Sequence, residues 1–485
     1  MRRRAPIFQA VDDQLFASGL QPDRHELKRL LWEHARNVVF WNGAIKRKIP
    51  AALAAQGGAE RVAGISQQSL SDGTRLAWFT SGAAIYSWAY DAPTLVDPAF
   101  PGYITDTTAT ERATMVDFTH YGDWTIINNS KGKPKINKPG VGYSEFAEPP
   151  ADVVRFLKRM NFLMAIGYGP RGTQVGWSDA DKIDVWGASA SNLAGSITID
   201  EFNTPIRAGA VLGDAVAVYS EDQMALVRYI GAPFVFSQRT TLDGIGCVGK
   251  YAVATDTRQN VGVSRAGCWW TDGNSSRFID EGYLSDYLQD NVNWDQAAKI
   301  VVGRNDYTGC FEFHFPMLGS HNVSEAWSWD PRNGAWSPTP AYTCMDERRI
   351  FQHVLYGDLV GKLLFGDFNE DGVAPLALRT RPLMMTGAAE SAHIVSRVDE
   401  YDLLLHAAEG IEVRIGCCGE PNGVWRWAPW QTAAAGNRIM TVPLQEDNTP
   451  LPENPYWKLE FRSTITDWAL NLQGFVLYGI STGTK

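Results

Sequence analysis

Residues 244–249 have the sequence Gly-Ile-Gly-Cys-Val-Gly, which matches the glycine pattern of a dinucleotide-binding turn. That chemistry requires a strand before the pattern and a helix after it, because the pyrophosphate binds at the helix N-terminus. Here residues 251–255 have the composition of another strand. The position about twenty residues further on, which should be acidic, is Trp269. The pattern therefore indicates a turn, and we predict no cofactor.

Residues 367–372 (Asp-Phe-Asn-Glu-Asp-Gly) resemble the first half of a calcium-binding loop. The twelfth position of such a loop carries a bidentate glutamate, and here that position is Leu378. We interpret the segment as the polar tip of a hairpin, with weak ion binding as the alternative. No metal site is predicted.

Catalytic residues are difficult to find in this chain. The eight histidines are scattered, and the Gly-x-Ser-x-Gly turn of serine hydrolases does not occur. Glycoside hydrolysis needs two carboxylates at a fixed separation, and among 54 acidic residues the sequence neither nominates nor excludes a pair. The six cysteines lack zinc-ligand spacing, so we expect reduced and mostly buried thiols. They are Cys247, Cys268, Cys310, Cys344, Cys417 and Cys418.

Basic side chains cluster at two places, and both are candidate docking contacts. Four lysines lie close together in one segment: Lys131, Lys133, Lys135 and Lys138. This segment is either a solvated turn or a contact to an acidic partner or a phosphate backbone. Three arginines follow the first residue: Arg2, Arg3 and Arg4. They could serve similarly in an arm that orders on assembly.

The N-terminal 36 residues differ in pattern from the rest of the chain. Residues 1–22 are basic and then polar, which is typical of an arm. Residues 23–36 predict an amphipathic helix, because Asp23 can cap its start and Glu26 completes a capping box. Its apolar face would consist of Leu27, Leu30, Leu31 and Ala35. The three leucines are further candidate assembly contacts.

Beyond residue 36 the sequence predicts strands. The chain has 18 Trp, 17 Tyr and 21 Phe with 45 Gly and 25 Pro, which favours short strands joined by tight turns. Residues 153–168, for example, are interpreted as a hairpin. Hairpin centres recur near Trp41, Trp88, Trp124, Trp177, Asp222, Trp269, Trp327 and Phe365. Their mean spacing is close to the ~40–50 residues of a four-stranded propeller blade.

These patterns predict an all-β fold in three parts. The first is the arm and helix (1–36), the second a β-propeller of roughly six to eight blades (37–375), and the third an antiparallel β-sandwich (376–485). A closed radial array leaves no long exposed sheet edge, which favours the propeller. Stacked sandwiches are the structural alternative.

Charge and hydropathy exclude two classes of function. The chain has 54 acidic and 44 basic residues and a formal net charge of -10, so it should not coat nucleic acid non-specifically. No apolar run follows the N-terminal arginines, which argues against secretion by a signal peptide. No segment approaches the ~18 apolar residues of a membrane span. We expect a soluble protein that is made in the cytoplasm.

Three segments carry a resemblance to a known family. They are residues 37–48, residues 175–186 and the longer stretch 217–249, which includes Leu-Val-Arg-Tyr-Ile-Gly-Ala-Pro-Phe-Val-Phe at 226–236. Together they resemble the tail nozzle or hub proteins of short-tailed bacteriophages, of the tail tubular protein B type. The resemblance covers roughly residues 37–300, and the first 36 residues lie outside it.

The resemblance implies a non-enzymatic structural protein of the virion tail. It implies a β-propeller subunit in a ring, a homohexamer in this family, below the portal and adaptor rings. Such a ring conducts and gates the DNA during ejection and anchors tail fibres, without sequence-specific binding. We expect the arm and helix to contact a neighbouring subunit or the ring above. The alternatives are a propeller that binds or cleaves surface polysaccharide and a cellular scaffold that binds peptides.

Overall fold

The computed structural model describes most of the chain between residues 6 and 484. The described residues are 6–11, 32–36, 38–41, 44–48, 51–82, 84–90, 95–96, 115–282, 284–346, 350, 353–366, 377–380, 383–384, 394–420, 423–433, 439–443, 445–446, 449–450, 456–463 and 469–484. Within them the regular structure is strand apart from one short helix, α1 (Ser285–Asn291), and a 3-10 segment (Trp294–Lys299). The prediction of an all-β chain is confirmed.

Five short strands come first in the chain. They are β1 (Pro6–Val11), β2 (Trp32–Arg36), β3 (Val38–Trp41), β4 (Ala44–Arg47) and β5 (Ala52–Gln56). Strands β3 and β4 pair as a hairpin. The other three pair with strands from much later in the sequence.

Six antiparallel sheets of four consecutive strands follow. Sheet I contains β6 (Ile65–Ser69), β7 (Arg75–Ser81), β8 (Ala84–Ala89) and β9 (Leu95–Val96); sheet II contains β10 (Asp117–Tyr121), β11 (Trp124–Asn128), β12 (Lys135–Lys138) and β13 (Gly142–Glu145); sheet III contains β14 (Arg155–Arg159), β15 (Phe162–Tyr168), β16 (Gln174–Trp177) and β17 (Gly195–Thr198). Sheet IV contains β18 (Ala208–Leu212), β19 (Ala215–Tyr219), β20 (Gln223–Gly231) and β21 (Val235–Asp243); sheet V contains β22 (Val253–Thr255), β23 (Asn260–Ser264), β24 (Gly267–Thr271) and β25 (Ser276–Phe278); sheet VI contains β26 (Val301–Asn305), β27 (Cys310–Phe315), β28 (Glu325–Trp329) and β29 (Trp336–Thr339).

A seventh four-stranded sheet joins two distant parts of the chain. Sheet VII contains β30 (Cys344–Asp346), β31 (Leu355–Gly357) and β32 (Lys362–Phe365), and its fourth strand is β5 from the N-terminal side. Lys362 pairs with Gln56 and Phe365 with Ala52. The beginning and the end of the seven-sheet body are therefore held in one sheet.

The seven sheets follow one another around a closed circuit. The first strand of each sheet contacts the first strand of the next, from β6 through β10, β14, β18, β22 and β26 to β30, and β30 contacts β6 again. These are packing contacts between separate sheets, and each of the described sheets remains open. The arrangement is propeller-like. Seven of the eight predicted hairpin centres fall one to a sheet, and Trp41 lies in the β3–β4 hairpin.

Local sequence explains the tight turns within these sheets. Gly122 and Gly213 occupy the first hairpin turns of sheets II and IV with φ of 59° and 58°, a region that residues with a side chain rarely adopt. The interpretation of residues 153–168 as a hairpin is confirmed, since β14 and β15 pair from Arg155–Ile166 to Arg159–Phe162. Residues 244–249 connect β21 to β22, so the prediction of a turn followed by a strand is also confirmed.

The C-terminal strands build two larger sheets. The strands are β33 (Ala377–Thr380), β34 (Leu383–Met384), β35 (Ile394–Glu409), β36 (Ile411–Cys418), β37 (Arg426–Trp427), β38 (Gln431–Thr432), β39 (Ile439–Pro443), β40 (Gln445–Glu446), β41 (Thr449–Pro450), β42 (Tyr456–Ser463) and β43 (Ala469–Thr484). Sheet VIII has the order β1-β43-β35-β39. Sheet IX has the order β2-β33-β42-β36-β37, with β34 and β38 pairing at its sides, and β40 pairs with β41. Apolar side chains of both sheets, such as Val413 and Leu472, belong to one buried cluster.

The N-terminal segment differs from the prediction of a separate arm and helix. Trp32–Arg36, the end of the predicted helix, forms β2 and pairs with β33. The reason is long-range packing: Trp32 is buried and its ring lies 6.1 Å from that of Phe40 and 6.3 Å from that of Phe461. Strands β1 and β2 thus belong to sheets VIII and IX, so the N-terminal and C-terminal segments share the same sheets. The propeller-like body, residues 51–366, is inserted between them.

Several predicted features lie outside the described residues. They are Arg2, Arg3, Arg4, Leu27, Leu30, Leu31 and the polar tip at 367–372. The predicted boundary between propeller and sandwich near residue 375 also lies there.

Candidate functional site

The centre of the seven-sheet body is filled by side chains that precede β22. Lys250 Nζ donates to the carbonyl oxygen of Met115 at 2.8 Å. The Tyr251 hydroxyl donates to the carbonyl of Val116 at 2.6 Å and lies 3.3 Å from Asp117 Oδ1. Sheets V and II are three steps apart in the circuit of seven. These side chains therefore span the middle of the body.

A half-buried arginine ties two more sheets to the same place. Arg155, on β14, donates from Nη1 to the carbonyl of Gly209 at 3.1 Å, and its Nε lies 3.6 Å from Asp117 Oδ1. Its guanidinium stands over the Tyr251 ring at 5.3 Å. Asp117 also accepts a hydrogen bond from the backbone N–H of Phe156 at 3.0 Å. Sheets II to V thus converge on one polar centre.

Burial dominates the electrostatics of this centre. It lowers the pKa of Lys250 to about 8; nearby Asp117 opposes that shift and Arg155 adds to it. The pKa of Tyr251 is raised well above its usual value, mainly by burial. Lys250 is 9% exposed, and its ammonium is directed at a backbone carbonyl. The arrangement holds strands together and does not present a nucleophile to solvent.

A second buried polar cluster joins sheets VI and VII to the segment before β5. Lys48 Nζ and Glu312 Oε1 form a buried ion pair at 2.8 Å. Glu312 also accepts hydrogen bonds from the Tyr356 hydroxyl at 2.8 Å and from Asn305 Nδ2 at 3.1 Å. Because every oxygen of the carboxylate has a partner, the buried charge is compensated.

Neighbouring charges set the protonation of this cluster. Burial would raise the pKa of Glu312, but the charge of Lys48 and the hydrogen bonds from Lys48 and Asn305 outweigh it and the pKa is lowered. Burial lowers the pKa of His314 to about 4. Its Nδ1 accepts the backbone N–H of Tyr342 at 3.2 Å. His314 is therefore neutral at pH 7.

The four predicted lysines all lie in sheet II or the loop before β12. Lys133 Nζ donates to the carbonyls of Ala147 and Pro149. The other two engaged lysines are on β12: Lys135 pairs with Glu145 at 3.1 Å, and Lys138 stands 4.4 Å from the Trp124 ring. Lys131 is exposed. Three of the four thus have local contacts, and the docking role stays a prediction.

The sequence reasoning missed an exposed apolar surface at the tip of sheet IV. Phe234 is 74% exposed, Ile230 55% and Tyr229 40%, all in the β20–β21 hairpin. Met160, in the β14–β15 turn, is 51% exposed. The run 226–236 served above only as a family marker. Its uninterrupted apolar residues around Pro-Phe were the available signal.

One side of this hairpin packs firmly on sheet III. The ring of Tyr229 lies 5.9 Å from that of Phe162 and 5.5 Å from that of Phe236. Phe236 also contacts Trp177 at 5.0 Å between ring centroids. The hairpin tip is therefore held in place although its outer residues are exposed.

The other side of the hairpin lines a basic cleft of about 120 Å³. Arg228, Ser237 and Arg239 project into it, opposite Asn274 of the β24–β25 turn. Arg228 has only a loose ion pair, 3.6 Å from Asp214, with both side chains exposed. Arg239 has no hydrogen bond or ion pair within the described part of the chain. The cleft can accept an acidic group.

A second cleft, of about 130 Å³, contains arginines that are already neutralised. Arg265 lies 2.9 Å and Arg207 4.0 Å from the carboxylate of Glu221. Asp295 also lines this cleft, so its two arginines are accompanied by two carboxylates, whereas no described acidic residue lines the cleft beside Arg239.

Sheet IX carries tryptophans whose faces are covered by cations. The Arg414 guanidinium stands 4.5 Å from the Trp427 ring and 4.3 Å from the Trp430 ring. Arg462 stands 4.1 Å from Trp430. Glu460 is an ion-pair partner of Arg414. This network stabilises the outer face of the sheet.

Metal-ligand clusters and membrane-spanning helices are both absent from the described residues. No group of three or more His, Cys, Asp or Glu residues in the described ranges could hold a metal ion. None of the helices in that part of the chain has both the length and the hydropathy needed to cross a bilayer.

Comparison with known proteins gives only distant similarity. No protein-family model and no curated protein matches the chain. It is similar to a chain in the crystal structure of the mitotic checkpoint complex, with 11% identity and a TM-score of 0.34 over 60% of this chain and 86% of that one. It is also similar to the extracellular domain of BT4673 from B. thetaiotaomicron, with 10% identity and a TM-score of 0.42 over 84% of this chain and 49% of that one. The chain thus spans about half the length of the BT4673 chain. Neither is a phage tail protein, and likeness this distant carries no argument.

Proposed function

We propose that this chain is a structural subunit of a phage tail, in the nozzle or hub ring that conducts and gates DNA during ejection and anchors neighbouring tail components. In this proposal, sheets I to VII are the seven blades of a β-propeller, and sheets VIII and IX form a β-sandwich. The closed circuit of first strands supports the propeller. The resemblance of residues 37–300 to phage nozzle proteins supports the family.

The filled centre of the seven-sheet body is the main observation that supports a structural role. A propeller is built around a central channel, and here Lys250, Tyr251 and Arg155 occupy that space. A duct for DNA could not run through one such body. In our proposal the duct is bounded by several copies arranged side by side.

The net charge of -10 is compatible with a passage for DNA. A wall that attracts phosphates retains DNA, because binding releases counterions from it. A repulsive or neutral wall lets the duplex slide. The repulsion between wall and duplex acts over about one Debye length. The same charge balance argues against tight sequence-independent binding.

Imaging and sizing the purified full chain would test the proposal. We expect a ring of about six copies, a closed cyclic arrangement, with its opening between subunits. Added duplex DNA should not be retained in a mobility-shift assay at physiological salt. A single-copy particle at every concentration, or tight retention of DNA, would contradict the proposal.

A second candidate is the binding of surface polysaccharide, for which the half-buried tryptophans of sheet IX offer partly exposed rings. Aromatic rings on a sheet face can stack on sugars, but Trp427 and Trp430 already contact Arg414. A glycan array separates the candidates. Specific binding that Trp430→Ala abolishes would support the second candidate over the first.

A further inference from the structure

The two strands of the β20–β21 hairpin are longer than the third and fourth strands of the sheets on either side of it. Strands β20 and β21 have 9 residues each. The third and fourth strands of sheet III have 4 each, and those of sheet V have 5 and 3. In addition, β19 ends its pairing at Ala215 opposite Arg228. Beyond Arg228 the hairpin therefore consists of two strands only, and each further residue adds about 3.3 Å to its length. We call this two-stranded part the projection.

The projection carries two kinds of unsatisfied surface. Phe234 and Ile230 are mostly exposed, and large exposed apolar side chains grouped in one place mark interaction surfaces. At the base of the projection, where the hairpin still pairs within sheet IV, Arg228 and Arg239 line the basic cleft. Because Tyr229 is packed against Phe162, the projection is already ordered and would lose little conformational entropy on binding.

We infer that the projection, with its basic cleft, docks on an acidic surface of a second copy of this chain. Charge complementarity supports this occupant, because the chain has a net charge of -10 and the cleft carries two arginines. DNA is disfavoured as the occupant, since phosphate binding relies on many cations and the cleft offers two arginines beside apolar side chains.

The charge of the projection also indicates the type of contact. A two-fold symmetric contact through the projection would bring Arg228 and Arg239 of both copies into one interface, where the four like charges would repel one another. The projection must instead meet a different surface of its neighbour. Such head-to-tail contacts generate rings when the rotation closes. The inference rests on the proposed ring and assigns one side of its subunit contact.

Sedimentation velocity of the full chain tests the inference through two variants and a matched control. Arg239→Glu reverses a charge in the cleft, and Phe234→Ser removes the largest exposed apolar side chain of the tip. Arg426→Glu reverses an exposed arginine of sheet IX, which likewise has no hydrogen bond or ion pair among the described residues. The side chains changed are exposed, so each variant should melt at the wild-type temperature.

We expect the wild-type chain and Arg426→Glu to form the same oligomer. Arg239→Glu and Phe234→Ser should each weaken it, raising the dissociation constant roughly tenfold to a hundredfold. A wild-type oligomer that both variants keep at full strength would overturn the inference and leave the proposed ring standing. A wild-type monomer at all concentrations would overturn both. Duplex DNA bound by the wild type and lost in Arg239→Glu would assign the cleft to phosphate and also overturn the inference.

Discussion

The centre of the body and the projecting hairpin contain the same kinds of side chain in opposite states. At the centre, Arg155 has Asp117 nearby, a carbonyl acceptor and the Tyr251 ring. On the hairpin, Arg239 is exposed and unpaired within the described residues, and Phe234 is largely uncovered. The contrast separates residues that hold the fold together from residues available to a partner.

The largest expected effect is at the centre. Asp117→Ala would leave the half-buried Arg155 and the buried Lys250 without their nearby carboxylate and remove the acceptor of the Phe156 N–H. We expect a loss of about 3–5 kcal/mol in the free energy of unfolding, measured by urea denaturation. Asp214→Ala, which removes an exposed carboxylate, is the control and should change it by less than about 0.5 kcal/mol. Equal, small effects of both variants would show that the polar centre does not stabilise the fold.

A pH effect of about 3 kcal/mol is expected from the buried cluster between sheets VI and VII. Burial lowers the pKa of His314 from 6.5 to about 4. The unfolded chain therefore binds a proton that the folded chain excludes, so the stability is complete above pH 6.5 and is lost as the pH falls toward 4. His314→Gln should flatten this dependence in urea titrations between pH 4 and 7, because its amide oxygen can still accept the Tyr342 N–H. The exposed His321→Gln is the control, and equal slopes in both variants would rule out the buried histidine as the cause.

A moderate effect is expected where the hairpin packs on sheet III. Tyr229→Ala removes ring contacts with Phe162 and Phe236 and should lower the free energy of unfolding by about 1 kcal/mol. Ile230→Ala, on the outward side, should lower the free energy of unfolding by only a few tenths of the effect of Tyr229→Ala. If Ile230→Ala proved the more destabilising in thermal melts, the hairpin would be packed the other way round.

The smallest effect is expected for the unpaired arginine. Arg239→Glu should leave the free energy of unfolding of the dissociated chain within about 0.5 kcal/mol of the wild type. The measurement is a urea titration at a concentration where the chain is monomeric. A loss above about 1 kcal/mol would show that Arg239 serves the fold and would remove the contrast with Arg155.

The sequence predicts the sheets well because their signals are local. Residues 268–270 and 326–329 are short segments rich in apolar and aromatic residues, and turn-forming residues follow each of them. They lie in β24 and β28. Residues 363–365 lie in β32 in the same way. In each case strand, turn and next strand are neighbours in the chain, so the pattern alone contains the pairing.

The long-range features could not be predicted from local patterns. Residues 32–36 have a helical spacing of apolar residues, yet Trp32 pairs with Thr380. The centre depends on Lys250 and Met115, which are 135 residues apart. Its local sequence indicates only a turn, and the contact exists because the circuit of sheets brings both ends together.

The exposure of the hairpin tip could not be predicted for a related reason. The run 226–236 is as apolar as a core strand, and its exposure depends on the lengths of the strands in sheets III and V. The relative lengths of these strands depend on where the turns fall in three separate sheets. The sequence pattern of one strand therefore does not predict whether its end is exposed.

Negative-stain imaging of the oligomer formed by the full chain shows directly where its opening lies. We expect a ring in which each subunit has a filled centre and the opening lies between subunits, with the sheet IV projection at the subunit contact. Isolated particles at every concentration, or an opening that runs through the middle of each seven-sheet body, would contradict it.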